Sequence, residues 1–490
     1  MRTIIEAANK KTGRPIKVVQ FGEGNFLRAF VDYMIDVANE AGVMDAGIAL
    51  VKPITFGTLE RFDNQDNLYT VILRGKQDGQ VVNDSRIVSS VERCVGVYED
   101  FEGFMDLAKL DSLEFVVSNT TEAGIVLDKT DSMDGIPNTY PGKLTKFLHT
   151  RFEAFAGDVS KGLIMLPVEL IENNGGKLKE CVLALADIWN LSEEFKNWVA
   201  EACVFCSTLV DRIVTGYPRD EAAELCEKLG YQDDLLDVAE PFGLWVIESD
   251  KDISDRFPLD KAGMPVVFTD NQKPYRERKV RILNGAHTST VLLGWLCGLG
   301  CVRDCMEDKT VRAFMEKAVR DEIMPFVKLP KKDVEAFAEA VFERFENPFI
   351  YHKVLDISLN SVSKWKARVL PSFKDYYAEF GKIPAAMTLS FAALMAFYTA
   401  DKMEDGALAA VRADGTAYAV RDDAAVLEFM LENAKKSAAE YAHAVVTNEA
   451  FWGEDMSKYE GFEVAVCEAV DSIRTNGARA TAEKWLKEKC

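Results

Sequence analysis

Two rhythms of apolar residues alternate through the first half of this chain, and beyond residue 270 only one of them dominates. Ile16–Phe21, IKVVQF, is a short and mostly apolar run that ends in Gly22-Glu23-Gly24; the NFLRAFVDYMIDVANEAG that follows returns apolar residues at helical spacing. Strand, glycine turn and helix are therefore predicted in that order. A second strand, GIALVKPI over 47–54, follows at the distance expected of a βαβ unit. Residues 69–91 alternate as YTVILRG, a KQDGQ turn and VVNDSRIVSSV, which predicts a β-hairpin insertion. FEGFMDLAKL reads as a helix leading into a buried strand over 113–117, whose end carries Ser118, Asn119, Thr120, Thr121 and Glu122. Polar residues at the carboxyl end of a parallel strand face a ligand in such sheets, although a capped turn explains them equally well.

The alternation continues with a helix over 144–154, a strand in GLIMLPVEL from Gly162, the turn IENNGG into LKECVLALADIW, and extended runs at FGLWVIE and MPVVFTD. After Asp270 the apolar spacing becomes three and four over long spans. Helices are predicted over 309–327, 332–345, 385–399, 424–434, 438–444 and 461–487, while Ala407 to Ala410 reads only as a local alanine bias. The fold class is thus α/β in an N-terminal domain, residues 1–270, followed by a mostly α-helical C-terminal domain, residues 271–490.

Composition narrows what such a chain does. At 490 residues it is long enough for two or three domains, and 48% hydrophobic with 10% aromatic residues mark it as globular. A formal charge of −21 argues against nucleic acid and against an anionic membrane surface, because both require a basic face. The N-terminus has no signal-like apolar core, and no run reaches the roughly 18 apolar residues of a transmembrane helix; a cytoplasmic protein is expected. Ten scattered cysteines include Cys203-x-x-Cys206 and the trio Cys297, Cys301 and Cys305, all read as buried thiols in place of zinc or redox groups. None of the histidines His149, His287, His352 and His443 stands in a zinc motif, so no metal is expected.

The chemistry is expected in RERKVRILNGAHTSTVLL, residues 276–293. On a helix Asn284 and His287 share a face, and Lys279, five residues before Asn284, reaches them with its long stem. Reduction of a ketone needs a proton donor and hydrogen bonds to the developing alkoxide. Lys279 suits the first role and Asn284 the second, with His287 orienting the substrate. Arg276, Arg278 and Arg281 crowd positive charge around Lys279, which is expected to lower its pKa from ~10.4. The alternatives are a solvated cationic helix start and a structural histidine. The glycine turn suits a dinucleotide diphosphate, which needs tight turning and close backbone approach, although Leu27 replaces the third glycine of G-x-G-x-x-G. Lys52 and Pro53 stand where a ribose-binding acid is usual, which leaves NADP open beside NAD.

QFGEGNFLRAFVDYMID and KVRILNGAHTS together resemble the polyol-specific long-chain dehydrogenases, the mannitol dehydrogenase group. Gly22, Gly24, Phe26 and Arg28 match that group's G-x-G-x-F-x-R turn, and Lys279, Asn284 and His287 match its lysine-x4-asparagine-x2-histidine motif; EPFGLWVIE and STLVDRI also look similar. The resemblance implies a Rossmann-type N-terminal domain and a catalytic lysine without metal in a cleft between domains. It also implies a cofactor site at Val19, Gln20, Phe21, Gly22, Glu23, Gly24, Asn25, Phe26, Leu27, Arg28, Ala29 and Phe30, with Asn119 nearby. VVSNTTEAG points within the group to members acting on a uronate or aldonate. The implied reaction is NADH-dependent, reversible reduction of D-tagaturonate to D-altronate, the rivals being fructuronate reduction, a polyol dehydrogenase and a cofactor-binding protein without catalysis. The family's oxyanion asparagine falls on Leu170 of VELIENNG, with Asn174, Asn119 and Glu169 as replacements. Its substrate-binding lysine falls on Lys364 and its arginine on Asp356. A substrate carboxylate would then meet Arg276, Arg278, Lys353 or Lys364.

Overall fold

The computed structural model describes residues 1–8, 13–120 and 124–490, so that Thr121 and Glu122 of the loop named above lie outside the described residues. It divides into two compact units, residues 1–74 with 81–272, and residues 75–80 with 273–490.

The first unit is built on six strands: β1 (Ile16–Phe21), β2 (Gly47–Lys52), β3 (Val91–Gly96), β4 (Phe115–Ser118), β5 (Ile164–Pro167) and β6 (Val204–Phe205). Their order across the sheet is β3-β2-β1-β4-β5-β6, and every pairing is parallel. This is the doubly wound dinucleotide-binding order, which reverses direction beside β1. Both faces of the sheet are covered. Val18, Ile48, Leu50, Phe115, Val117 and Ile164 enter one apolar cluster, while Val19, Phe21, Ala49, Val51, Val116 and Met165 enter the other. Burial on both sides is why these strands read as continuous apolar runs and not as alternation. Ser207–Asp211, Leu244–Glu248 and Val266–Thr269 make a three-stranded sheet. The hairpin strands Tyr69–Gln77 and Gln80–Val88 join two more strands in a four-stranded one. Asp78 and Gly79 turn that hairpin with φ of 51° and 75°, the paired positive values of a type I′ turn. Cys203 and Cys206 are buried thiols, each pushed up to about 12 by burial.

The second unit is mainly helical. The helices used below are α1 (Gly285–Leu296), α2 (Lys331–Phe345), α3 (Ser361–Arg368), α4 (Ala385–Phe397) and α5 (Phe462–Asn476). α4 is apolar all round and buried from Ala386 to Met395. Its N-cap residue is Pro384, which makes no side-chain cap; Glu322 supplies one from elsewhere, accepting the amides of Ala386 and Met387 at 2.8 Å each. Three sequence expectations are corrected here. Residues 309–327 change winding twice, from α (Lys309–Lys317) to π (Ala318–Ile323) to 3-10 (Met324–Phe326). Residues 461–487 form two helices, α5 and Ala478–Glu488, because Gly477 sits at φ 85° and ψ 159°, a glycine-only conformation. The alanine-rich stretch is the middle strand, Ala407–Val411, of a three-stranded antiparallel sheet. Among the described residues no helix is long and apolar enough to cross a membrane.

Candidate active site

In the first unit β1 and β4 end side by side, and the glycine turn leaves β1 at that point. Gly22 has φ 123°, open to glycine alone. The fold itself does not demand glycine at Gly24, which has φ −69°, is exposed and has no atom within 4 Å of where a Cβ would stand, so the space beside it is open. Gly24 caps a helical segment that begins with Asn25–Leu27, passes through a π turn at Arg28–Asp32 and continues as Tyr33–Glu40. An open glycine backbone at a helix start fits a diphosphate, which such turns hold with main-chain N–H groups. Gly22, Glu23, Gly24 and Asn25 are the accessible part of the expected cofactor set. Val19, Gln20, Phe21, Leu27, Ala29 and Phe30 are buried, and Phe26 stacks on Phe30 with ring centres 5.0 Å apart. Arg28 points inward, donating to Leu235 O and to Asn25 Oδ1 and lying 5.2 Å over the Tyr69 ring. Those side chains therefore brace the turn from within. Leu27 takes the third glycine's place by packing its Cδ1 beside Gly22.

Lys52, at the end of β2, is buried and donates to Glu99 Oε1 at 2.7 Å and to Ile54 O at 2.8 Å. Glu23 is raised above the usual carboxylate range by burial, against the lowering pull of Lys52 and Arg28. At the end of β4, Asn119 donates its N–H to Phe21 O. Glu169 is buried and accepts from Ser118 Oγ and from both N and Oγ1 of Thr120, so it fixes the β4 end. Asn174 is not free to replace the oxyanion donor: Nδ2 donates to Pro167, Glu169 and Thr208 carbonyls, and Oδ1 accepts from Gly175 and Thr208. Leu170 is 63% exposed.

In the second unit Lys279–Asn284 is a π-helix set between the α-helix Lys273–Arg278 and α1. This alters which residues share a face. On a regular α-helix Lys279 and Asn284 would point about 140° apart. The π turn absorbs one extra residue, which reduces that angle to about 40° and sets Lys279 within about 20° of His287. The π turn therefore aligns the three side chains on one face. Two of the three arginines expected around Lys279 have partners of their own. Arg278 is buried with its guanidinium 4.3 Å over the Phe337 ring, and Arg281 pairs with Asp375. Arg276 lies in the last turn of the helix that precedes Lys279.

His287 stacks on Phe345 of α2 with ring centres 4.1 Å apart and meets His352 edge-on at 5.2 Å. Its Nε2 is sealed from solvent and has no hydrogen-bond partner among the described residues. Burial first, and then the positive charges of His352, Arg344, Arg368 and Lys364, hold its pKa well below the usual value. His287 is therefore a neutral imidazole at ordinary pH. Lys364 is lowered by burial and by Arg368. Arg344, His352 and Arg368 were not singled out from the sequence. The one sequence signal that could have found Arg368 is its i,i+4 spacing from Lys364, which sets the two on a shared face. Among the described residues no group of three or more His, Cys, Asp or Glu side chains converges as a metal-binding set.

A nucleotide-type parallel sheet with an open glycine turn, and a helical unit carrying an aligned lysine, asparagine and neutral histidine, define a two-domain dehydrogenase. The Mannitol dehydrogenase Rossmann domain matches residues 16–261 and the Mannitol dehydrogenase C-terminal domain matches residues 271–474. The chain belongs to the mannitol dehydrogenase family; it is an oxidoreductase acting on CH–OH groups, with a binding domain for an NAD-type dinucleotide. It is 43% identical over 479 residues to the altronate oxidoreductase of Yersinia enterocolitica serotype O:8 / biotype 1B, covering 96% of this chain and 97% of that one. The altronate oxidoreductase of Phocaeicola vulgatus is 41% identical over 488 residues, 99% of this chain and 100% of its own. Among solved structures, a substrate-free D-sorbitol dehydrogenase shares the fold with a TM-score of 0.79 at 20% identity, covering 98% of this chain and 100% of that one. Pseudomonas fluorescens mannitol 2-dehydrogenase, in ternary complex with NAD and D-mannitol, aligns with a TM-score of 0.67 at 22% identity over 98% and 96%.

Proposed function

We propose that this chain catalyses the NAD-dependent, reversible reduction of D-tagaturonate to D-altronate, with Lys279 in place of a metal as the acid and base. The observation that carries the chemistry is the π turn that sets Lys279, Asn284 and His287 on one face. The substrate follows the relatives, altronate oxidoreductases at 41–43% identity over almost the whole length. A dinucleotide at the glycine turn supplies the hydride. Lys279 delivers its proton to the carbonyl oxygen as that oxygen becomes a hydroxyl, and recovers it in the reverse reaction. Asn284 donates an N–H to the same oxygen while charge develops there. His287, kept neutral by its surroundings, orients the substrate without adding charge.

NADH is favoured over NADPH because the end of β2 is electrostatically closed. The Lys52 ammonium is engaged by Glu99, whose carboxylate is the exposed member of the pair and would repel a 2′-phosphate. The test follows the oxidation of NADH, and in parallel of NADPH, with tagaturonate, fructuronate, fructose and no substrate. Tagaturonate with NADH is expected to be fastest. Highest activity with fructose would remove the uronate assignment, and faster turnover with NADPH would overturn the reading of Lys52.

A further inference from the structure

Among the described residues Arg368 stands out as a half-buried cation without a paired acid, in a chain that has acids in excess. The sequence carries 79 Asp and Glu against 58 Lys and Arg. Several arginines elsewhere in the second unit are paired with acids: Arg312 with Glu346 at 2.7 Å, Arg320 with Glu339 at 2.6 Å, and Arg412 with Asp414 at 2.6 Å; the exposed Arg474 donates to the main-chain oxygens of Ala434 and Lys436. Arg368 is half-buried, and among the described residues it has no ion-pair partner. The one hydrogen bond of its guanidinium is a long one, 3.5 Å from Nη1 to Thr288 Oγ1.

Its neighbour makes the imbalance larger. Lys364 and Arg368 lie four apart on α3 and so share a face, where two like charges repel. Lys364 Nζ donates only to a neutral acceptor, Ile357 O at 2.8 Å. Burial lowers the pKa of both groups, and Arg368 lowers that of Lys364 further; Asp422 pulls Lys364 the other way but forms no ion pair with it among the described residues. Two partly desolvated cations side by side are a costly arrangement unless an anion completes it. Their position says which anion. Thr288, which Arg368 reaches, follows His287 directly, and the main-chain oxygen of Arg368 is 3.4 Å from where a Cβ on Gly285 would stand, next to Asn284. Arg368 therefore packs on the flank of α1 that carries Gly285 and Thr288, about 100° round from Asn284 and His287, and the charges of Arg368 and Lys364 are near enough to help hold down the pKa of His287.

We propose that the Arg368 guanidinium, with the Lys364 ammonium one turn before it, binds the carboxylate of the substrate and thereby selects a uronate over a neutral ketose. This rests on the uronate reading above, and it moves the carboxylate clamp from Arg276 and Arg278 to α3. A planar guanidinium takes a carboxylate through two parallel N–H donors, and the ammonium adds a third from the same face.

Steady-state kinetics of the full chain test it. In Arg368→Gln the KM for tagaturonate is expected to rise about 10- to 100-fold, the loss of a charge-assisted hydrogen bond. The KM for NADH is expected to stay within about twofold, and any slow turnover of fructose should fall much less than that of tagaturonate, so that the uronate-to-fructose ratio of kcat/KM falls. Arg368→Lys, which keeps the charge and loses the fork, is expected to fall in between. An unchanged KM for tagaturonate in Arg368→Gln overturns the proposal, as does an equal loss with both substrates. Wild-type protein that does not turn over tagaturonate would instead overturn the reading on which the proposal rests.

Discussion

Lys279, Asn284 and His287, the proposed catalytic set, were picked out because their spacing matches a dehydrogenase motif. What they need from one another was not legible in the sequence. The neutrality of His287 comes from Phe345, His352 and the cations of α2 and α3, which approach it from 57 to 81 positions further along the chain. Arg368 was missed for the same reason: in SVSKWKARV it looks like any basic residue on an amphipathic helix, and only the absence of an acid marks it. If Lys279 acts at the chemical step, Lys279→Ala lowers kcat by about 10²-fold or more. NADH affinity, read by fluorescence titration, stays near wild type. Turnover left intact in that variant removes the lysine from the mechanism.

At the scale of elements, the six strands were readable because a parallel sheet covered on both faces forces unbroken apolar runs. The β-sheet after residue 400 was not, since strands such as Ala407–Val411 are rich in alanine, a weak strand former. The Asp-Gly pairs at 405–406 and 414–415 were its one visible signal. The π turn at Lys279–Asn284 is the element on which the proposed activity most depends, and no apolar period announces it. Moving the lysine by one position tests the element itself. The double variant Lys279→Val, Val280→Lys keeps composition but rotates the ammonium by about 80–100°. It is expected to be as inactive as Lys279→Ala while the far-ultraviolet circular dichroism is unchanged. Activity near wild type would mean that the shared face is unimportant.

Across the whole molecule, the excess of acids does not leave every acid charged. Asp32 and Asp237, close to the buried Arg28, are both pushed up to about 7 by burial, and so is Glu322 beneath α4. A carboxyl whose folded pKa is raised ionises more readily in the unfolded chain. Folding stability is therefore lost as pH climbs from about 4 to about 7, by at most about 1.4 kcal/mol per pH unit for each group. His287 acts in the opposite direction: its folded pKa is depressed, so stability is lost as pH falls below about 6.5. Asp32→Asn, which still accepts from Tyr69, is expected to flatten the first of these slopes in urea midpoints measured from pH 5 to 7. An unchanged slope would assign the loss to other groups. The hairpin has a consequence of another kind. Its tip, residues 75–80, belongs to the second unit while its strands belong to the first, so the chain passes between units at 74–75, 80–81 and 272–273. There Lys76 pairs with Glu346, and the amides of Asp78 and Gly79 donate to Glu343. A gene cut at codon 272 would not yield two self-sufficient products, because the downstream piece would lack a lysine and two amide donors encoded almost two hundred codons earlier. Any attempt to exchange halves between relatives has to carry that six-residue graft along with the second half.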